Sequence, residues 1–397
     1  MEALLKADFF EKNRHRLLDL YPDHIIILSG NSHVQKSLDQ NYPFHQDNNF
    51  WYFCGLDLAD LILVFSKTTQ FIILPKQNKY QQIFDGFLDK EQIQRVSGIF
   101  DVLDQSKAVE RLKQIFSKNP KVGTVIYPKL KYLTRLNQQN HLTLISYLKR
   151  IKPDISINNL SQGVARLRMV KSPKEIKLIN KASKITIDSI AKIEQNLQKY
   201  VSSDQISKDL RINLLKEESD GYSFDPIIAS GRDSTIIHFN KSNSDILKNK
   251  LLLLDVGCFY HKYASDISRT IPVGRVTKRE KEVQAAVLRV QAQLINFLEP
   301  GKSFKDIEAF SRKLIFRELI NLKILTNKQF SLVNKYYPHA VTHSLGLDVH
   351  DFADYSINLT PNMVITIEPG IYLPTEGIGV RFEDDILITK KGSKILR

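Results

Sequence analysis

LLLLDVGCFYHKYASDISRT, residues 251–270, is the stretch on which the reading of this 397-residue chain turns. Four leucines and Val256 make an apolar run of strand length, and it carries one acid, Asp255, near its end. Asp266 follows where a second strand-like run begins at Ile267. If Tyr260 and His261 form a two-residue hairpin turn, residues whose numbers total 521 face one another. Asp255 then lies opposite Asp266, with Cβ atoms about 5.5 Å apart.

The same arithmetic applies near the C-terminus, where Glu368 in TIEPG (366–370) and Glu383 in VRFEDD (380–385) flank the turn sequence PTEG (374–377). A hairpin centred there sets the two glutamates opposite each other. Like-charged pairs on buried strands are strongly unfavourable without a cation, because adjacent carboxylates in a low-dielectric site cannot both ionise cheaply. Divalent metal is the natural compensation. His343, in THSLGLDVHD (342–351), adds one imidazole to this oxygen-rich set. Four carboxylates and one imidazole suit two hard or borderline ions, Mn²⁺ first, with Co²⁺, Fe²⁺ or Zn²⁺ compatible. Singly, each residue has an ordinary reading: Asp255 as a turn residue, Asp266 as a cap, His343 as a hydrogen bonder, and Glu383 with Asp384 and Asp385 as a solvated acidic edge. Only the joint pattern points to metal.

Outward from this core, Ser172-Pro-Lys-Glu is a helix start with a capping box, leading Ile176, Leu178, Ile179 and Ile185. A comparable start lies at Ser202–Gln205, and a third helix runs from about Glu280 to the stop signal Pro300-Gly301. With strand runs at 251–256, 364–367, 371–373 and 385–389, the second half is expected to be α+β. In the first half, apolar runs at 24–28, 61–65 and 70–74 with a helical stretch at 105–117 predict an α/β domain. The polar segment KPDISINNLSQG (152–163) is the expected linker, giving domains 1–163 and 164–397.

Composition sets the class. With 42% hydrophobic and 25% charged residues, and no apolar run near the roughly 18 residues of a membrane span, a soluble protein that does not enter the membrane is expected. The net charge of +14 invites a nucleic-acid reading, but the lysines at 171–184 and 274–282 are interleaved with acids, so no nucleic-acid partner is expected. Met1–Phe10 lacks the pattern of a signal or transit peptide, and two distant cysteines, Cys54 and Cys258, fit a reducing compartment, so the expected location is cytoplasmic.

These residues together resemble the metal-dependent creatinase/aminopeptidase P family, and within it the Xaa-Pro aminopeptidases. The similarity is carried by Ser172-Pro-Lys-Glu, Ala229-Ser-Gly-Arg through His238, Asp255-Val-Gly, Ser265 to Thr270, His343 through His350-Asp351, Glu368-Pro-Gly and Arg381-Phe-Glu-Asp-Asp. In the first half, NFWYFCG (49–55) is similar to a segment of the aminopeptidase P N-terminal domain, though it also reads as an aromatic core strand. The resemblance implies an α/β N-terminal domain followed by an α+β "pita-bread" catalytic domain. It implies hydrolysis of the bond between a first residue and a following proline by two divalent ions. Asp255 would chelate one ion, Asp266 and Glu383 would bridge both, and His343 and Glu368 would complete the other site. Glu368 is also the implied proton acceptor. His238 and His350 match histidines that hold substrate and stabilise charge, Arg381 matches a residue supporting the acids, and His339 falls at a family histidine position where a packing role is equally open.

The sequence departs from the family at Ala340, at Ser344 where tryptophan is usual, and in the run after His238. The same residues are compatible with a prolidase acting on Xaa-Pro dipeptides. The complete ligand set speaks against a creatinase-like metal-independent enzyme and against a noncatalytic binding module. Relatives imply a homodimer or homotetramer.

Overall fold

The computed structural model describes residues 5–86, 88–118, 120–127 and 140–397; residues 1–4 of the opening segment read for targeting signals lie outside these. The chain divides into two compact units, Met1–Leu167 and Arg168–Arg397.

The first unit is built on a six-stranded mixed sheet in the order Val102–Leu103, Gln70–Ile73, Ile62–Phe65, His24–Ser29, Lys121–Thr124, Ile157–Asn159. The apolar runs become its central strands because Ile27, Val64, Phe71 and Val122 pack against Ala108, Leu112 and Phe116 of helix Gln105–Phe116 and Leu144 and Leu148 of helix Asn140–Ile151. Two expectations fail here. NFWYFCG is not a strand but most of helix Asn48–Cys54, all of whose residues are buried. Asp47 caps it by accepting from the Phe50 N–H, and Gly55 closes it at φ 72°, a conformation glycine adopts without strain. Nor is 152–163 a linker: Ile157–Asn159 adds to the sheet beside Lys121–Thr124, and helix Ser161–Met169 follows directly. An edge strand keeps one side in water, so its polar composition mimics a loop.

The second unit is α+β. Helix Pro173–Glu194 starts with the reciprocal Ser172–Glu175 capping box, and Thr277–Glu280 and Ser303–Asp306 start helices Lys278–Phe297 and Phe304–Asn321 likewise. At helix Ser203–Lys216 the box does not form; Gln205 instead accepts from the Val201 N–H. Strand Lys250–Val256 lies between Ile227–Ser230 and Ile267–Val273, while Val364–Ile367 pairs with Asp384–Thr389 and Gly370–Leu373 with Ile378–Arg381. No helix of the described residues is long and apolar enough to cross a membrane.

Register decides where the acids stand. The turn of the first hairpin is His261-Lys262, both at positive φ (46° and 70°) as a type I′ turn requires, and not Tyr260-His261. Facing residue numbers therefore total 523, Asp255 pairs with Ser268, and Asp266 becomes its diagonal neighbour two residues along rather than its direct partner. His-Lys gives no glycine or asparagine signal for such a turn, which is why the sequence misplaces it. In the second pair of strands the ladders on both sides share one register, Ile367 with Asp384 and Gly370 with Arg381, which sets Glu368 opposite Glu383 in the break between them.

Candidate metal centre

That break frees the backbone of both glutamates for other partners. The Glu383 N–H donates to the Ser268 carbonyl, tying it to the strand beyond Asp266, and the Glu368 N–H donates to the Val341 carbonyl. Residues 341–345 run antiparallel along 364–368, with the Thr366 N–H on the His343 carbonyl, so His343 and Glu368 share a face. Four chain segments thus converge. His343 Nε2 lies 3.5 Å from Asp266 Oδ2, 3.6 Å from Glu368 Oε1 and 3.9 Å from Glu383 Oε1. Ligand atoms of Asp266, His343 and Glu383 all fall within 4.8 Å of one another. Asp255 Oδ2 lies 2.6 Å from Arg381 Nη2, and its charge acts on Asp266, Glu368 and Glu383.

Three buried carboxylate oxygens here, Asp255 Oδ1, Asp266 Oδ1 and Glu383 Oε1, have no hydrogen-bond partner. Natural proteins rarely leave such atoms orphaned. The crowding raises carboxyl pKa values in the metal-free protein. Burial, then the charges of Asp255, Glu368 and Asp385, push Asp266 well above the carboxylate range; burial with Asp266, Glu368 and Asp255 does the same to Glu383. Burial lifts Glu368 to about 8, against the pull of Arg381. The histidine is pre-set the other way: burial and the neighbouring His350 hold His343 down at about 3, and its Nδ1 donates to the Ser344 carbonyl at 3.1 Å. Its Nε2 lone pair therefore faces the acids. Orphaned oxygens, excess negative charge and a neutral imidazole fit a divalent cation site.

A pH dependence follows. Because a raised carboxyl pKa disfavours the ionised form in the fold, stability of the chelated protein is full below the unfolded carboxyl pKa of about 4 and declines as pH rises towards about 8, where Glu368 ionises. Metal binding must displace these protons, so Mn²⁺ affinity is expected to rise steadily from pH 6 to 8 with net proton release. Calorimetric titration in buffers of different ionisation enthalpy measures both. A break near 6.5, from a titrating His343, would contradict the geometry.

Around the candidate ligands lies a hydrogen-bonded shell. Arg381 donates to Asp255 Oδ2 (2.6 Å), Ser268 Oγ (2.9 Å) and the Tyr372 hydroxyl (2.9 Å), and Ser268 in turn donates to Glu383 Oε2. Tyr372 reaches His339 Nε2 at 2.9 Å, while His339 Nδ1 faces the Ala340 carbonyl and lies 3.5 Å from Glu368 Oε2. His350 and His238 are exposed; the His350 ring is 4.2 Å from that of His343, and the charge of His238 acts on both His339 and His350.

Sequence reasoning missed the parts played by Ser268, Tyr372 and Asp385. Glu383, Asp384 and Asp385 are buried, not a solvated edge. Asp384 pairs with Arg269 and accepts from Gln291, and Asp385 accepts from the Asp266 N–H and from the Ser183 hydroxyl. The strand alternation of Glu383 and Asp385 was the available signal, since residues two apart share a face.

Comparison with known proteins matches residues 177–390 to the model of metallopeptidase family M24 and residues 10–125 to that of the aminopeptidase P N-terminal domain. The chain is 30% identical to mouse Xaa-Pro aminopeptidase 3, over 96% of this chain and 81% of that protein. It is 28% identical to the Xaa-Pro aminopeptidase of Haemophilus influenzae, over 100% and 95% of the two chains. The structure of aminopeptidase P from E. coli superposes with a TM-score of 0.87 at 23% identity, covering 99% of this chain and 95% of that one.

Proposed function

The chain belongs to metallopeptidase family M24, with an aminopeptidase P N-terminal domain before a pita-bread catalytic domain, and from this we propose that it is an Xaa-Pro aminopeptidase. It releases the first residue of peptides whose second residue is proline. The observation that carries the reading is the set of orphaned carboxylate oxygens converging with His343 Nε2, in a chain similar over nearly its full length to Xaa-Pro aminopeptidases.

In this reading Asp255, Asp266, His343, Glu368 and Glu383 would hold two divalent ions. Mn²⁺ suits the oxygen-rich donor set. The chemistry such ions would supply is polarisation of the scissile carbonyl and activation of water as nucleophile. Glu368, whose carboxylate lies beside His343 Nε2, would take the proton from the attacking water and pass it towards the departing proline nitrogen. His238 and His350, on the open side, hold the substrate backbone and the charge developing on the carbonyl oxygen. Arg381 holds Asp255 in place through its Nη2 donor, and the neutral His339 fixes Tyr372 against Arg381. A cytoplasmic location fits two buried free thiols, and a homodimer or homotetramer rests on the family resemblance alone.

The test is to load chelated protein with Mn²⁺ and compare an Xaa-Pro-Xaa tripeptide with an Xaa-Pro dipeptide. Chelator-sensitive release of the first residue from the tripeptide is expected. Cleavage confined to the dipeptide would make the protein a prolidase, and no cleavage of either with metal bound would overturn the proline-peptide assignment.

A further inference from the structure

The segment carrying His343 and His350 rests on a cluster of buried charges that the reaction above does not use. Arg168 and Lys171 are each 2% exposed and Asp351 4%. Arg168 Nη2 contacts Asp351 Oδ1 and, at 2.7 Å, Asp348 Oδ2; Lys171 Nζ lies 3.1 Å from Asp351 Oδ2 and 3.4 Å from Ser344 Oγ. Burial would push the Asp351 carboxyl up, but Arg168 and Lys171 outweigh it and hold the group ionised. The carboxylate sits so close beneath Gly346 that a Cβ there would collide with it. The cations therefore brace the loop from below.

One carbonyl links this cluster to the metal-facing imidazole. The Ser344 oxygen accepts from the Asp351 N–H at 2.8 Å and from His343 Nδ1 at 3.1 Å. Lys171 grips both residues that fix this carbonyl, Asp351 through its carboxylate and Ser344 through its hydroxyl. Ser344 is where the sequence departs from the aromatic residue usual in the family, and its hydroxyl is 1% exposed with its residue and turned to Lys171. Two cations buried around one carboxylate are a costly arrangement for packing alone.

We propose that Lys171, acting through Asp351 and Ser344, is a positioning residue for His343. It fixes the peptide whose carbonyl sets the ring's tautomer and direction, and thereby sets the affinity of the His343 side of the site for its cation. The inference rests on His343 being a ligand, as read above. Groups that orient a ligating histidine change metal affinity by about ten- to a hundred-fold when removed.

The experiment uses the full chain and three substitutions, Lys171→Met, Lys171→Arg and Ser344→Ala, with Mn²⁺ titrated calorimetrically and the histidine tautomers read by ¹⁵N NMR without metal. In Lys171→Met one of the two Mn²⁺ dissociation constants is expected to rise about ten- to a hundred-fold, and His343 to lose its single Nδ1–H tautomer. Lys171→Arg should recover most of the affinity, and Ser344→Ala should show a smaller loss in the same constant. A folded Lys171→Met protein with both constants and the tautomer unchanged overturns the proposal, even if its melting temperature falls. Should Lys171→Met not fold, Ser344→Ala decides, and an unchanged constant there overturns it. Failure of the unsubstituted protein to bind Mn²⁺ would instead remove the reading of the site itself.

Discussion

Glu383→Gln is expected to lower kcat/KM on an Xaa-Pro-Xaa tripeptide by about 10³-fold, and to leave the metal-free fold more stable at pH 8. If Glu383 holds metal as proposed, its loss removes several kcal/mol of transition-state stabilisation, and about 1.4 kcal/mol is a factor of ten. The stability effect has the opposite sign. Glu383 is 2% exposed, and its carboxyl is pushed up by burial and by Asp266, Glu368 and Asp255, so ionising it at pH 8 opposes folding. A neutral amide removes that repulsion, still accepts from Ser268 Oγ as Glu383 does at 3.0 Å, and can donate towards the remaining acids. Steady-state kinetics with saturating Mn²⁺ and calorimetry of the chelated proteins measure the two effects. A variant that keeps its activity would remove Glu383 from the metal centre, and one that melts well below the parent would make the residue structural.

Arg381→Met is expected to destabilise the chelated protein by about 3–5 kcal/mol, because removing one partner of a buried pair leaves the other charge uncompensated. Arg381 is 3% exposed and holds Asp255, Ser268 and Tyr372 with three separate donors. For a unit the size of Arg168–Arg397 this lowers the melting temperature by about 6–20 °C. Saturating Mn²⁺ should restore part of the loss, since a bound cation takes over the compensation of Asp255. Arg381→Lys keeps the charge but not the fork, and falls between. Equal melting temperatures for Arg381→Met and the parent without metal would show that Arg381 carries none of this load.

The sequence made much of this visible. The apolar runs at 24–28, 251–256 and 364–367 are strands to within a residue because each is long enough to cross a sheet and too apolar to leave it. Ser172-Pro-Lys-Glu gives its helix start because a capping box is closed between residues three apart and needs no distant partner. Where a residue's partner is remote, the reading slipped. NFWYFCG lies in a helix buried on every side, with Asn13 and Arg14 donating to its Tyr52 and Phe53 carbonyls, and the polar 157–159 joins the sheet because Lys121–Thr124 leaves an edge open. The ordinary alternative for Asp384 and Asp385, a solvated edge, is excluded only by Arg269, Gln291 and Ser183, which bond to them from far along the chain.

By itself the sequence singled out Asp255, Asp266, His343, Glu368 and Glu383 as candidate ligands, because residue type and position in a short motif are local facts. Only the tertiary structure decided how they meet: that the His261-Lys262 turn sets Asp255 diagonal to Asp266, that Ser268 and Arg381 tie Asp255 to Glu383, and that Lys171 reaches Ser344 across more than 170 positions of chain. Register, burial and the compensation of charge depend on contacts between residues far apart in the chain, and those contacts exist only once the strands have paired.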